Sequence, residues 1–191
     1  SAASDVYKRQ AYNRYMGEAC CGSAALLHHI LREDWGFDGY IVSDCGAIYD
    51  IYENHKIVET AAQAAALAVK SGTDLNCGKI YKSALAEAIE KGLISEDEIN
   101  TAVKRLFTAR FKLGLFDPDS LVKYTKIPIE VNDSEKHRAL SVKAARESMV
   151  LLKNENNILP LKKNLKRIAV IGPTADSYPM LLGNYNGTPS R

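Results

Sequence analysis

The run Gly39-Tyr40-Ile41-Val42-Ser43-Asp44 constrains the fold more than any other stretch of the chain. It is too short for a helix and rich in β-formers, and it ends in polar residues and Gly46, the pattern of a strand buried in a parallel sheet. Helical patterns flank it. From Gly22 onward, Leu26, Leu27, Ile30 and Leu31 recur at helical spacing and stop ahead of Trp35 and Gly36. Residues 59–70 are dense in alanine, and Gly72 ends that helix. Residues 73–77 then read as another very short strand. Helix, strand, helix and strand in tight succession predict βα units around a parallel sheet.

Two further helices are expected, over residues 81–91 with Gly92 as the stop, and over 95–112, opened by a Ser95/Glu98 capping box and closed by Gly114. Pro118, Pro128 and a lack of periodicity mark residues 117–133 as a linker. Beyond it, Asp133 or Ser134 caps a helix with Ala139, Leu140, Val142, Ala145 and Met149 at core spacing. Ile168-Ala169-Val170-Ile171-Gly172-Pro173 reads as a buried strand opening a second α/β unit. Residues 1–10 carry Lys8 and Arg9 with no apolar core after them, so they are no signal peptide. They match nothing that follows and are set aside as non-native, so the genuine start, with any export signal, is expected upstream.

Charge and hydropathy narrow the function class. Formal net charge is only +2, from 25 basic and 23 acidic residues, too weak a field to predict nucleic acid or an anionic surface. No apolar run approaches the roughly 18–20 residues of a bilayer span, and a 46% hydrophobic composition supplies a core. A small neutral ligand fits; a nucleic acid or membrane partner does not. The four cysteines contain no Cys-x-x-Cys pair, and His28 and His29 are adjacent rather than a helical turn apart, so no metal site is expected. Asn132-Asp133-Ser134 and Asn186-Gly187-Thr188 match glycosylation sequons.

Asp44 is the sharpest candidate for chemistry, because parallel α/β folds place ligands at the carboxyl ends of their strands. An Asp so close to a Gly also serves simply as a turn or helix cap. The surrounding residues decide between these readings. Trp35-Gly36-Phe37-Asp38-Gly39-Tyr40-Ile41-Val42-Ser43-Asp44 closely resembles the nucleophile segment of glycoside hydrolase family 3. Ala11-Tyr12-Asn13-Arg14, Ser71-Gly72-Thr73-Asp74-Leu75, Phe111-Lys112-Leu113-Gly114-Leu115-Phe116 and Leu151-Leu152-Lys153-Asn154 match in register, and the resemblance covers everything after Gln10. It implies the C-terminal part of a (β/α)8 TIM barrel over 11–116 and the start of an α/β sandwich domain over 134–191. A complete barrel takes about 250 residues, so the chain is expected to hold pieces of two domains.

The same resemblance implies retaining hydrolysis of terminal β-D-xylosyl or β-D-glucosyl residues of an oligosaccharide substrate, without a cofactor and with Asp44 as nucleophile. Such chemistry needs a second carboxyl group about 5–5.5 Å away. In the family that group is a Glu on a loop of the second domain. No Glu in this sequence matches it, so the isolated chain is expected to be inactive. Tyr12 matches a sugar-site tyrosine and Arg14 belongs to the same motif, in which Met16 stands where Asn is usual.

Cys45 stands where many β-glucosidases of the family have Trp, which resembles the β-xylosidase branch. Cys77 lies one βα unit further on, at the matching end of the next strand. Neighbouring strands are about 4.8 Å apart, within disulfide reach, so a Cys45–Cys77 bridge would narrow the pocket where a hexose carries its CH₂OH. In a reducing compartment the alternative is two free thiols. An α-L-arabinofuranosidase and a non-catalytic sugar-binding module are the rival readings. Cytoplasmic and secreted locations, and the oligomeric state, stay open.

Overall fold

A computed structural model describes residues 7–182. The second sequon, Asn186-Gly187-Thr188, and the two ends of the chain lie outside the described residues. The chain divides into two units, Ser1–Pro128 and Ile129–Arg191, and the division falls inside the stretch read as a linker.

In the first unit, strand β1 (Tyr7–Arg9) is followed by a hairpin of β2 (Arg14–Tyr15) and β3 (Glu18–Ala19), then by helix α1 (Ala25–Asp34) and strand β4 (Tyr40–Val42). Helix α1 is wound in the wide π form, and Trp35 N–H reaches back five residues to Ile30 O at its end. It buries Leu27 and Leu31 against Ile41 of β4, as the helical spacing and the apolar strand required.

β1 runs parallel to β4, with Tyr7, Lys8 and Arg9 opposite Tyr40, Ile41 and Val42. Gln10 N–H continues the ladder to Val42 O, and the Tyr7 and Tyr40 rings stack at 5.6 Å. Tyr7–Arg9 fall within residues 1–10, the segment set aside in the sequence, and pair with β4 all the same. Strand pairing needs only backbone N–H and C=O groups, so a polar Tyr-Lys-Arg strand leaves no trace in a hydrophobic pattern.

On the other side of β4, the strand expected over residues 73–77 reduces to one parallel bridge, Val42 to Leu75. Asp74 N–H and Leu75 N–H both donate to Ile41 O, and beyond Leu75 the chain turns to start the next helix.

Four α-helices follow β4 in this unit: α2 (Ala47–Glu53), α3 (Ala61–Lys70), α4 (Ile80–Glu90) and α5 (Glu96–Lys112). Thr60 with Gln63, and Ser95 with Glu98, form capping boxes at the starts of α3 and α5, satisfying otherwise orphaned N–H groups. Helix α3 is the centre of the packing. Its alanines leave room for a neighbour on each side: Ala64 and Ala68 meet Ile48 and Ile51 of α2, while Ala62, Ala66 and Val69 meet Ala88 of α4 and Ile94.

In the second unit, Ser134 accepts from His137 N–H and opens helix α6 (Glu135–Ser148); helix α7 (Tyr178–Leu182) follows. The expected core face of α6 is not buried: Leu140 is 60% and Met149 73% exposed. The expected strand at 168–173 is absent, with Val170 72% and Ile171 90% exposed. Both corrections have one cause. An apolar face or strand is stabilised only by a partner surface, and among the described residues every buried position lies at or before Ala109.

Candidate active site

Asp44 sits just past the carboxyl end of β4 and is 5% exposed. Gly46 follows at φ 85°, a left-handed conformation that favours glycine, and this sharp turn sends the chain straight into α2. Asp44 O caps the turn by accepting from Ala47 N–H at 3.1 Å. The side chain stays available: Oδ1 accepts from Cys45 N–H at 2.8 Å, and Oδ2 meets Arg9 Nη1 at 2.5 Å. The Tyr12 hydroxyl donates to Cys45 O at 2.8 Å and lies near enough to the same carboxylate to help hold it ionised. Burial pushes the Asp44 carboxyl up, but the Cys45 N–H, the Tyr12 hydroxyl and the Arg9 guanidinium outweigh it and hold the group below the usual carboxylate range. The result is an ionised carboxylate at a strand end, the form a nucleophile needs.

Cys45 and Cys77 are joined by a disulfide, with Cα atoms 4.3 Å apart. The bridge flanks Asp44 directly. Arg14, expected with Tyr12 among the substrate-binding residues, donates its Nη2 to His55 O, and the His55 ring returns a 2.8 Å contact to Tyr12 O, so this pair clamps the Tyr12 loop to the end of α2. Cys20 and Cys21 are free and buried, and burial pushes the Cys21 thiol up to about 12. Among the described residues no group of three or more His, Cys, Asp or Glu could hold a metal ion.

Four residues were given no role in the sequence reading, the first being Arg9, which pairs with Asp44 as described. Ser43, fully buried, accepts at its Oγ from Cys77 N–H at 2.9 Å and from Asn76 Nδ2 at 3.2 Å. His55 braces Tyr12 as described. Asp74, with its side chain 1% exposed, receives Arg32 and Ile41 N–H on Oδ2 and Arg105 on Oδ1, each at 2.9 Å. It thereby ties α1 and α5 to the strand that carries the nucleophile. Burial pushes its carboxyl up against the pull of those guanidiniums. Only its place in the Ser71-Gly72-Thr73-Asp74-Leu75 motif could have flagged it. A cleft of about 350 Å³ lined by Lys8, Leu31, Trp35, Phe37 and Asp38 lies at the entry to β4, the wrong end of a parallel strand for chemistry.

A helix-rich α/β unit thus presents a carboxylate at the carboxyl end of a parallel strand, the position at which such folds seat their ligands. Comparison with known proteins makes this specific. Residues 7–109 match the glycosyl hydrolase family 3 N-terminal domain, which is of TIM-barrel type, and residues 149–191 match the C-terminal domain of the same family. The chain belongs to glycoside hydrolase family 3.

A xylan 1,4-beta-xylosidase of Xylanibacter ruminicola is 50% identical over 94% of this chain and 21% of its own length. A probable exo-1,4-beta-xylosidase of Aspergillus terreus is 42% identical over 93% of this chain and 23% of its own. Among solved structures, a family 3 exo-beta-xylosidase in complex with a xylobiose aziridine activity-based probe superposes with a TM-score of 0.82, at 34% identity, over 96% of this chain and 24% of that one. A beta-glucosidase of Listeria innocua in complex with glucose gives 0.63 at 29% identity, over 80% and 21%. The chain thus spans about a fifth to a quarter of the length of the proteins it matches.

Proposed function

We propose that this chain carries the nucleophile of a retaining exo-acting β-xylosidase, within the last part of a (β/α)8 barrel, followed by the start of an α/β sandwich domain. The observation that carries the reading is the buried Asp44 carboxylate at the end of β4, held by Cys45 N–H and the Arg9 guanidinium. Asp44 attacks the anomeric carbon of the terminal sugar as the bond to the leaving oxygen breaks. A second carboxyl group, supplied by the acid/base Glu of the family from outside the described residues, protonates that oxygen. It then takes the proton from the water that hydrolyses the glycosyl ester, and two displacements at one carbon give net retention. Tyr12 keeps the carboxylate oriented for attack. The Cys45–Cys77 bridge stands where a hexose would place its CH₂OH, which favours a pentose. The relatives' names point to the same substrate class.

In a full-length protein carrying this chain, Asp44→Asn lowers kcat on an aryl β-xyloside by on the order of 10⁶-fold, the scale of nucleophile loss in a serine hydrolase. A 2-fluoro-xyloside labels Asp44, as read by peptide mass spectrometry. Labelling at another carboxylate, or undiminished turnover by the variant, overturns the assignment. The chain by itself is expected to release no p-nitrophenol from the same substrate.

A further inference from the structure

The two cysteines that flank Asp44 are held in place by more than their covalent bond. Ser43 N–H donates to Leu75 O at 2.9 Å, and Gly46 N–H to Cys77 O at 2.8 Å. Between these, the buried Ser43 hydroxyl accepts from Cys77 N–H and Asn76 Nδ2. Both backbone polar groups of Cys77 are therefore spent on residues that bracket Asp44-Cys45. Asn76 is fixed from its other end, because its Oδ1 accepts from Tyr81 N–H at 3.3 Å at the start of α4, while the Tyr81 hydroxyl donates to Thr73 O at 2.6 Å. A disulfide acts chiefly by restricting the unfolded chain; buried hydrogen bonds with no alternative partner fix native geometry.

We propose that Ser43 and Asn76 are positioning residues that hold Cys77 in register with the nucleophile. The pocket's preference for a pentose over a hexose is then set by this buried hydroxyl and amide and survives reduction of the Cys45–Cys77 bridge. The proposal rests on reading Asp44 as the nucleophile and the cysteine pair as the wall beside it. Cys45 is exposed and Cys77 half-buried, so a reductant can reach the sulfurs without unfolding the loops.

The readout is the ratio of kcat/KM for an aryl β-xyloside to that for the matching β-glucoside, in a full-length protein carrying this chain. General loss of structure, or of Asp44 itself, lowers both values together; displacement of the wall moves the ratio. Wild-type protein reduced with a phosphine, both thiols verified by alkylation, keeps the ratio within about threefold, whereas Ser43→Ala lowers it by about tenfold or more, inside the roughly 10–200-fold range that one methylene is worth in a fitted pocket. Asn76→Ala removes the amide that donates to Ser43 and the acceptor of Tyr81 N–H together, and lowers the ratio in the same direction. If Ser43→Ala does not fold, reduced wild type and Asn76→Ala still decide. Reduction alone collapsing the ratio overturns the proposal, as does a ratio unchanged in both variants. Turnover that persists in Asp44→Asn removes the functional reading and this inference together, a failure separable from the first two because it shows before any ratio is compared.

Discussion

The hairpin that carries Arg14 turns through Met16 and Gly17, at φ 49° and 89°, between the pairs Arg14 with Ala19 and Tyr15 with Glu18. Two consecutive left-handed residues in a two-residue loop make a type I′ turn, whose preferred sequence is Asn-Gly. An ordinary L-residue in that conformation loses about 1–2 kcal/mol, and Asn markedly less because its short polar side chain bonds locally. Met16 is 85% exposed, so replacing it forfeits at most about 0.3 kcal/mol of the roughly 2 kcal/mol that full burial of a Met contributes. Met16→Asn should therefore stabilise the hairpin by about 0.5–1 kcal/mol.

The Cys20 amide closes this hairpin, donating to Asn13 O at 3.1 Å, so its native-state hydrogen exchange reports the local opening. Exchange should slow by about two- to fivefold in Met16→Asn and stay unchanged in Met16→Ala, which keeps the strained φ. Faster or unaltered exchange in the Asn variant, or equal slowing in the Ala variant, would refute the argument from backbone conformation.

Three further outcomes are expected. Removing the phenol in Tyr12→Phe takes away one of the donors that hold the Asp44 carboxyl down; its pKa rises, and the acidic limb of the kcat/KM profile moves to higher pH. An unmoved limb with a fallen rate would show that Tyr12 acts on the sugar instead. Cys20 and Cys21, both raised by burial and Cys21 to about 12, should resist iodoacetamide at pH 8 in the native protein and react only after unfolding, as counted by mass spectrometry. Asp74→Ala strands the Arg32 and Arg105 guanidiniums together with Ile41 N–H, and should cost about 3–5 kcal/mol in urea unfolding; a loss below about 1 kcal/mol would mean that the cluster is not the anchor described.

Local rules in the sequence determined most of the first unit's helices. Leu26, Leu27, Ile30 and Leu31 outlined α1, the alanines outlined α3, and Ser95 with Glu98 marked the start of α5, because periodicity and capping act within a few residues of chain. The Tyr40-Ile41-Val42 strand and the carboxylate at its end were legible for the same reason. Helix α2 was not, since its seven residues are too few to show a period. β1 was missed because its pairing uses only backbone, and the strand expected at 168–173 did not form because residues of the right pattern still need a neighbour.

Tertiary structure alone decided the rest. It brought Arg14 to His55 O and the Tyr12 hydroxyl to Cys45 O beside Asp44, and placed the Ser43 hydroxyl under Cys77, 34 residues along the chain. Each of these is a hydrogen bond between segments distant in sequence. Its existence depends on angstrom-scale placement by packed helices, which composition and spacing do not encode.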